Sequence, residues 1–229
     1  MNLYFAMNGG YWMRIPEHIG IIPDGNRRWS VNMGLGKEKG YDYGLDPGLE
    51  LFKLCKEVGV KEITYYGFTT DNTKRPSLQT NAFTEACIKA VKTLSKEDAS
   101  LLVVGNTASP KFPKELKPYT TRQDFGKGGL KVNFLVNYGW HWDLENLYLG
   151  RENIKRGKGN IYNRIYSSDI SRVDLIIRWG GRRRLSGFLP VQSIYSDFYV
   201  IDDLWPDFKK DHLYEALEWY DSQDITLGG

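Results

Sequence analysis

The chain has 229 residues, of which 41% are hydrophobic and 26% charged, a balance typical of a globular protein with one sizeable core. Its formal net charge of +3 is too small to indicate binding to nucleic acid. The cysteines, Cys55 and Cys87, fall on separate predicted helices and support neither a disulfide framework nor a zinc site. No apolar run approaches the roughly 20 residues that cross a bilayer. We therefore expect a cytoplasmic protein with at most peripheral membrane association.

The start of the chain differs in character from the rest. Its first ten residues have neither the basic start nor the long apolar centre of a signal peptide, and they resemble part of an expression tag. We predict an N-terminal arm over residues 1–14 and a single folded domain over residues 15–229. No internal repeat and no linker rich in proline, glycine or serine divides this domain.

Strand-like and helix-like segments alternate along the domain. Strands are predicted at residues 19–23, 61–68, 101–105, 130–137, 173–178 and 198–201, and helices at residues 44–58, 77–94 and 211–220. This alternation predicts an α/β fold with a central, mainly parallel sheet flanked by helices. Ligands of such sheets bind at the carboxyl ends of the strands, so we expect one crevice there. The polar residues that follow predicted strands are Asp24, Thr69, Asn137 and Arg178.

The segment at residues 18–29 reads HIGIIPDGNRRW and joins an apolar strand to a tight turn. The turn carries one carboxylate, Asp24, and then backbone amides and the guanidinium groups of Arg27 and Arg28. A carboxylate, amides and guanidinium groups together suit a diphosphate that is bound with magnesium. Asp-Gly-Asn also occurs in ordinary turns, so this segment alone leaves both interpretations open.

A second stretch, at residues 174–188, reads DLIIRWGGRRRLSGF and is rich in arginine. Its two glycines are expected to let backbone amides approach a ligand. Arg178, Arg184 and Ser186 suit a diphosphate, which they would bind through forked guanidinium hydrogen bonds and a hydroxyl group. The alternative is a solvated basic loop, but apolar segments flank the cluster on both sides.

Other polar groups are weaker candidates. Asp197 offers a second carboxylate for a metal ion, and Asn72 and Arg75 belong to a turn after the second predicted strand. The three histidines lack metal-ligand spacing. His18, a lone histidine in a strand, is interpreted as a hydrogen-bonded strand residue rather than an acid or base.

Taken in order, these motifs resemble those of the cis-prenyltransferases, the family that includes undecaprenyl diphosphate synthase. The matching segments lie at residues 18–29, 68–72, 75–76, 137–139, 174–178, 184–186 and 204–208. The resemblance implies a homodimeric α/β enzyme with an apolar tunnel between the sheet and two helices. It also implies that the enzyme uses Mg²⁺ to join an allylic prenyl diphosphate to a second C5 prenyl diphosphate.

The resemblance also implies roles for individual residues. Those implied in catalysis are Asp24, Asn26 and Asn72. Those implied in substrate binding are Gly25, Arg27, Arg28, Trp29, Arg75, Arg178, Arg182, Arg184, Ser186, Phe83 and Cys87. Those implied in metal binding are Asp24 and Asp197, the second of which stands where the family has a glutamate. Phe83 and Cys87 would line the tunnel, although plain core packing explains them equally well.

The chain departs from the family pattern mainly near the second diphosphate. Arg182 replaces a glutamate, Tyr41 replaces a histidine, and the usual Arg-x-Gly near the C-terminus is absent. The changes fall on the acceptor site and the tunnel, and because they cluster at the acceptor we favour an irregular, lavandulyl-type head-to-middle condensation with dimethylallyl diphosphate. The alternatives are a regular short-chain synthase that uses isopentenyl diphosphate, and a subunit of a heteromeric enzyme whose partner supplies the missing motif.

Overall fold

The computed structural model describes residues 3–6, 12–147 and 161–224. Within these ranges the strands are β1 (Leu3–Ala6), β2 (Trp12–Ile15), β3 (His18–Ile22), β4 (Glu62–Tyr66), β5 (Ala99–Val104), β6 (Gln123–Phe125), β7 (Leu130–Leu135), β8 (Leu175–Arg178) and β9 (Asp197–Val200). The α-helices are α1 (Asn26–Asn32), α2 (Gly40–Tyr43), α3 (Leu45–Val58), α4 (Ser77–Leu94), α5 (Trp140–Asp143) and α6 (Lys210–Asp221). Short 3₁₀ helices lie at Thr70–Lys74, Lys114–Thr120, Glu145–Leu147, Ile161–Arg164 and Trp205–Asp207.

Seven strands form one sheet in the order β6-β5-β7-β4-β3-β8-β9. All neighbouring pairs in it are parallel except the pair of β5 with β6. The predicted α/β fold with a mainly parallel sheet is therefore confirmed. Every predicted strand and helix has a counterpart, whereas β1, β2, β6, α1, α2 and α5 were not predicted because they are too short to show a periodic pattern.

The inner strand β3 is buried on both faces of the sheet. Ile19 and Ile21 belong to the larger apolar cluster, which also contains residues of α3, α4 and α6. Ile22 belongs to a smaller cluster on the other face, together with Phe188. A Cβ at Gly20 would lie 2.6 Å from a carbon of the Phe188 ring, so this close contact requires glycine. Packing on both faces fixes β3, and with it the turn that follows.

The second strand of the N-terminal hairpin packs against the domain. β1 and β2 pair antiparallel, and Met13 of β2 is completely buried. The backbone amide of Arg14 donates to Asp221 Oδ1 at 2.8 Å, at the end of α6. The predicted boundary between arm and domain therefore falls inside β2. Other parts of the predicted arm, and the C-terminal segment that lacks Arg-x-Gly, lie outside the described residues.

None of the described helices combines the length and the apolar character that a membrane crossing requires.

A polar network lies at the amino ends of the central strands. His18 is fully buried, its Nε2 lies 2.8 Å from Thr64 Oγ1, and its Nδ1 lies 3.1 Å from the Ser171 carbonyl oxygen. The Glu62 carboxylate accepts hydrogen bonds from Asn133 Nδ2 at 2.7 Å and from Ser171 Oγ at 2.8 Å. These contacts confirm that His18 is a hydrogen-bonded strand residue, at the sheet edge opposite the turn of Asp24.

This network predicts a loss of stability in mild acid. Burial lowers the pKa of His18 below its ordinary value of 6.5, although the nearby charge of Glu62 opposes that effect. Below about pH 6.5 the unfolded chain binds a proton at this side chain that the folded chain does not bind. The free energy of unfolding should therefore fall with decreasing pH, by at most about 1.4 kcal/mol per pH unit for one proton.

Urea unfolding at a series of pH values between 5 and 8 measures this dependence. A His18→Gln variant should show a shallower slope than the wild type. His141→Gln, which changes an exposed histidine, should keep the wild-type slope. Equal slopes for His18→Gln and the wild type would contradict the assignment.

Candidate functional site

A cleft of about 950 Å³ opens at the carboxyl ends of β3, β4 and β8. The predicted site residues that line it are Asp24, Gly25, Asn26, Arg27, Arg28, Asn72, Arg75, Phe83, Arg178, Arg182, Arg184 and Ser186. These residues come from three segments that are far apart in the chain. The parallel sheet brings them together because the carboxyl ends of its strands meet at one edge.

The first wall of the cleft is the turn between β3 and α1. Gly25 has φ 114° and caps α1, which begins at Asn26. A Cβ at Gly25 would also lie 2.9 Å from a Leu204 side-chain carbon, so both backbone conformation and space require glycine here. This sharp turn presents the carboxylate of Asp24 to the cleft.

Asp24 and Arg178 join the two predicted motifs directly. Arg178 Nη2 donates to Asp24 Oδ2 at 2.8 Å, although the residues are 154 positions apart in the chain. Arg28 Nη2 lies 3.7 Å from Asp24 Oδ1 and donates to the Gly180 carbonyl oxygen at 2.8 Å. The Arg178 side chain is only 4% exposed, whereas that of Asp24 is 34% exposed and faces the cleft.

A second part of the cleft lining is the arginine turn, which we define as residues 178–186. Arg178 Nη1 donates to Ser186 Oγ at 2.9 Å and also to the Arg184 carbonyl oxygen. Ser186 has φ 55°, and its carbonyl oxygen accepts a 2.7 Å hydrogen bond from the Tyr66 hydroxyl. These bonds fold the turn back onto the end of β8 and place the Ser186 hydroxyl in the cleft.

The two glycines of the arginine turn play a different part from the one expected. The Gly180 amide donates to the Asp203 carbonyl oxygen at 2.8 Å, and the Gly181 amide donates to that of Ile201 at 3.0 Å. A Cβ at Gly180 would overlap Arg28 Nη2. The expectation that these amides approach a ligand is therefore wrong, because they bind the chain itself and Gly180 makes room for Arg28.

The cleft carries a large excess of positive charge. Its basic lining residues are Arg27, Arg28, Lys37, Arg75, Arg178, Arg182 and Arg184, and its acidic ones are Asp24 and Asp71. Among the lining residues that the structure describes, seven cations against two carboxylates leave an excess of five positive charges. A concave surface with this balance attracts a compact polyanion.

An apolar cavity of about 290 Å³ adjoins the cleft, with lining residues from α3, α4, β4 and β7. Phe83, Ala86 and Cys87 of α4 belong to its lining, so their side chains border a cavity. Burial raises the pKa of the Cys87 thiol to about 12, which keeps the thiol neutral. The cleft and the cavity share Pro23, Asn26, Tyr41, Gly67 and Phe83.

Two residues expected near the ligand lie elsewhere. The Trp29 indole donates to Asp207 Oδ1 at 2.7 Å, its ring packs on Tyr43, and it lines neither cavity. Asn137 is buried and donates to the Asn106 carbonyl oxygen at 3.0 Å. The structure therefore places neither Trp29 nor Asn137 in the lining of the cleft.

The structure does not bring Asp197, the second predicted metal ligand, close to Asp24 within one subunit. Asp197 pairs with Leu175 at the amino end of β9, whereas Val200, at the carboxyl end, pairs with Arg178. Asp24 follows the carboxyl end of β3, so the two carboxylates lie at opposite edges of the sheet. Burial raises the pKa of Asp197, which disfavours its charged form.

The sequence analysis missed the parts of Tyr41 and Tyr66 in this site. Tyr41 lines both cavities, and its hydroxyl accepts a 2.8 Å hydrogen bond from Arg75 Nη1. Tyr66 lines the cleft and supports the arginine turn through Ser186. The sequence signal for Tyr41 was its replacement of a family histidine. Tyr66 gave no signal of its own, because an aromatic residue in a strand is typical of a core.

The residues present fit a magnesium ion that is bound together with a diphosphate. No group of three or more histidine, cysteine or acidic residues suitable for a metal occurs in the described parts of the chain. Mg²⁺ commonly takes only one or two carboxylates and completes its ligands with water and substrate phosphate oxygens. Asp24 satisfies this requirement, because it lines the cleft, its side chain is 34% exposed, and its Oδ1 lies 3.7 Å from Arg28 Nη2, beyond hydrogen-bonding distance.

Comparisons with known proteins show the family of the chain. Residues 22–228 match the family described as "Putative undecaprenyl diphosphate synthase". The chain is 33% identical to an isoprenyl transferase of Clostridium tetani, with 94% of this chain and 90% of that protein covered. It is 30% identical to the ditrans,polycis-undecaprenyl-diphosphate synthase ((2E,6E)-farnesyl-diphosphate specific) of Aliivibrio fischeri, with 93% and 89% covered.

A solved structure shows the same fold. It is that of lavandulyl diphosphate synthase from Lavandula x intermedia in complex with dimethylallyl diphosphate. The TM-score is 0.81 at 20% sequence identity, and the match covers 93% of this chain and 98% of that one. Identity this low supports similarity of fold alone.

Proposed function

The chain belongs to the undecaprenyl diphosphate synthase family of cis-prenyltransferases, and from this premise we propose that it condenses two C5 prenyl diphosphates in the cleft. The donor is an allylic diphosphate such as dimethylallyl diphosphate. The observation that carries the proposal is the Asp24–Arg178 ion pair, which joins both diphosphate motifs in one basic cleft beside an apolar cavity.

Arg27, Arg28 and Arg75 line the cleft on the side of α1 and α4 and would bind the donor diphosphate. Asp24 would hold Mg²⁺, which when bound neutralises charge on that diphosphate. The guanidinium groups stabilise the negative charge that the leaving diphosphate gains as the allylic C–O bond breaks. Asn72 also lines the cleft, and its Oδ1 accepts the Thr69 amide hydrogen bond, which orients its side chain beside the leaving group.

The arginine turn would bind the diphosphate of the acceptor. The acceptor alkene attacks the allylic carbon, a new C–C bond forms, and the diphosphate departs with the electron pair of the broken C–O bond. The proton that the product loses passes to a diphosphate oxygen. The apolar lining shared by cleft and cavity limits water that would otherwise capture the cation.

Two observations favour irregular condensation, with dimethylallyl diphosphate as both donor and acceptor. Arg182 adds positive charge to the acceptor wall, where the family has a glutamate. The cavity of about 290 Å³ lies just below the range of about 300–1,000 Å³ for small-molecule sites, so it leaves little room for a prenyl chain that extends beyond the cleft. The second candidate is regular condensation with isopentenyl diphosphate, and similarity to isoprenyl transferases favours it.

Incubation of the purified chain with Mg²⁺ and labelled dimethylallyl diphosphate, with and without isopentenyl diphosphate, tests the proposal. Product from dimethylallyl diphosphate alone supports irregular condensation. Product only in the presence of isopentenyl diphosphate supports the regular reaction. No product with allylic donors of any length would contradict an enzyme that works without another subunit.

We also propose that the enzyme is a homodimer, as the family resemblance implies. Light scattering of the purified chain should give twice the mass of 26.4 kDa, and a monomer that is fully active would contradict this proposal.

Charge reversal at Arg182 should weaken acceptor binding selectively. Arg182 lines the cleft and is exposed, so Arg182→Glu exchanges an attraction to the acceptor diphosphate for a repulsion. We expect the KM for the acceptor to rise about five- to tenfold, the size of an interaction of about 1 kcal/mol between exposed charges. Steady-state kinetics with each substrate varied in turn measures the effect. Arg183→Glu is the matched control, because Arg183 is exposed and lines neither cavity.

A further inference from the structure

The cleft and the apolar cavity adjoin along a small set of shared lining residues. We call this junction the neck and define it by the residues that line both spaces, which are Pro23, Asn26, Tyr41, Gly67 and Phe83. A prenyl chain whose diphosphate is bound in the cleft must pass these residues to enter the cavity. Among them, only Tyr41 and Phe83 carry large aromatic side chains.

These two rings stack across the neck from different helices. The ring of Tyr41 on α2 and that of Phe83 on α4 lie nearly parallel, at an angle of 7°, with centroids 4.4 Å apart. Arg75 Nη1 donates to the Tyr41 hydroxyl at 2.8 Å, and the Arg75 guanidinium carbon lies 5.9 Å from the centroid of Phe83. Tyr41 is only 5% exposed. Phe83 contacts one face of its ring, and Arg75 binds its hydroxyl group.

The short helix that carries Tyr41 is itself held in place on two sides. A Cβ at Gly40 would overlap the Asn26 carbonyl oxygen, so α2 packs directly against the backbone of α1. On the other side, Lys89 Nζ of α4 forms a 2.8 Å ion pair with Asp42 Oδ1. The backbone at Tyr41 therefore cannot move aside without loss of these contacts.

We propose that Tyr41 is a specificity-determining residue that closes the neck to long prenyl chains. A short allylic chain ends on the cleft side of the stacked rings, whereas a longer one must displace the Tyr41 ring from Phe83 and its hydroxyl from Arg75. This inference rests on the proposed function, because it assumes that a prenyl diphosphate binds in the cleft. The inference adds to the proposed function an upper limit on the length of the donor's prenyl chain, and it names Tyr41 as the side chain that sets this limit.

Binding of unreactive thiolodiphosphate analogues tests the inference without turnover. Calorimetry gives the dissociation constants of the dimethylallyl and farnesyl analogues, with Mg²⁺, for the wild type and for Tyr41→Ala. We expect the ratio of the farnesyl constant to the dimethylallyl constant to fall at least tenfold in Tyr41→Ala. That factor is about the size of the discrimination that an apolar pocket achieves for one methylene group.

Tyr43→Ala is the matched control, because Tyr43 lies on the same helix, is exposed and lines neither cavity. It should keep the wild-type ratio. Circular dichroism and the urea midpoint check folding. If Tyr41→Ala does not fold, Tyr41→Leu replaces it in the test, because leucine retains an apolar contact with Phe83. The same ratio of dissociation constants is then measured for Tyr41→Leu. A ratio equal to that of the wild type in the folded Tyr41 variant overturns the inference.

The binding assay separates this inference from the proposed function. Suppose that the chain forms product but that Tyr41→Ala leaves the ratio of the farnesyl to the dimethylallyl dissociation constant unchanged. This result refutes the role of Tyr41 at the neck and leaves the proposed reaction intact. Suppose instead that the chain binds both analogues, that Tyr41→Ala changes the ratio of their dissociation constants, and that no product forms. This result supports the role of Tyr41 at the neck and contradicts the proposed reaction. Failure of the wild type to bind either analogue overturns both.

Discussion

Replacement of Asp24 by asparagine is expected to lower kcat by about a thousandfold while the protein stays folded. Asparagine has the same shape, and its amide oxygen still accepts the hydrogen bond that Asp24 Oδ2 receives from Arg178 Nη2. What the variant loses is the negative charge that would hold Mg²⁺ beside the donor diphosphate. The chemical step should therefore suffer far more than the fold.

Single-turnover kinetics and urea unfolding measure the two effects separately. The magnesium concentration for half-maximal activity should rise in Asp24→Asn. Asp211→Asn, which removes an exposed carboxylate from the first turn of α6, should retain wild-type kinetics. Wild-type turnover in Asp24→Asn would remove metal-assisted ionisation from the proposed mechanism.

The second large effect is expected for Arg178→Lys, which should lower kcat/KM for the acceptor by about a hundredfold. Arg178 donates to Asp24 Oδ2 through Nη2. Through Nη1 it donates to Ser186 Oγ and to the Arg184 carbonyl oxygen. A lysine ammonium group keeps the charge but cannot bind both sides in the fixed fork of a guanidinium. The expected loss, about 2.7 kcal/mol, matches the removal of one or two hydrogen bonds to charged groups.

Arg183→Lys provides the control for this change, since Arg183 is exposed in the same turn and lines neither cavity. Steady-state kinetics with the acceptor varied, and urea unfolding of both variants, distinguish a loss of acceptor binding from a loss of stability. A decrease in kcat/KM no larger than that of Arg183→Lys would show that the fork at Arg178 is unimportant for the acceptor.

Local patterns in the sequence were sufficient for the longer elements and for the order of the motifs. The helix at Ser77–Leu94 was predicted with the bounds that the structure has, because its 18 residues show a clear apolar face. The strand that ends before Asp24 was recognised because a parallel strand buried on both faces is continuously apolar. Short elements such as α2, with four residues, give no such signal.

Pairings across the sheet could not be predicted in the same way. Asp24 meets Arg178 because β8 pairs with β3, and no local pattern says which strands are neighbours. The same lack of information explains why the sequence did not reveal that Asp197, whose residue type suits a metal ion, lies at the amino end of β9 and away from Asp24. The glycines of the arginine turn were recognised as special, yet their amide partners, Asp203 and Ile201, belong to a segment beyond β9.

By itself, therefore, the sequence determined the α/β class, the family and the chemical type of the site, because these depend on residue types at short spacing. Only the tertiary structure decided which charges meet, which edge of the sheet each carboxylate faces, and that Tyr41 and Phe83 stack at the neck. Such contacts form when strands and helices distant in the chain pack to bury apolar surface. Their geometry is a property of the whole packed core and not of any one segment.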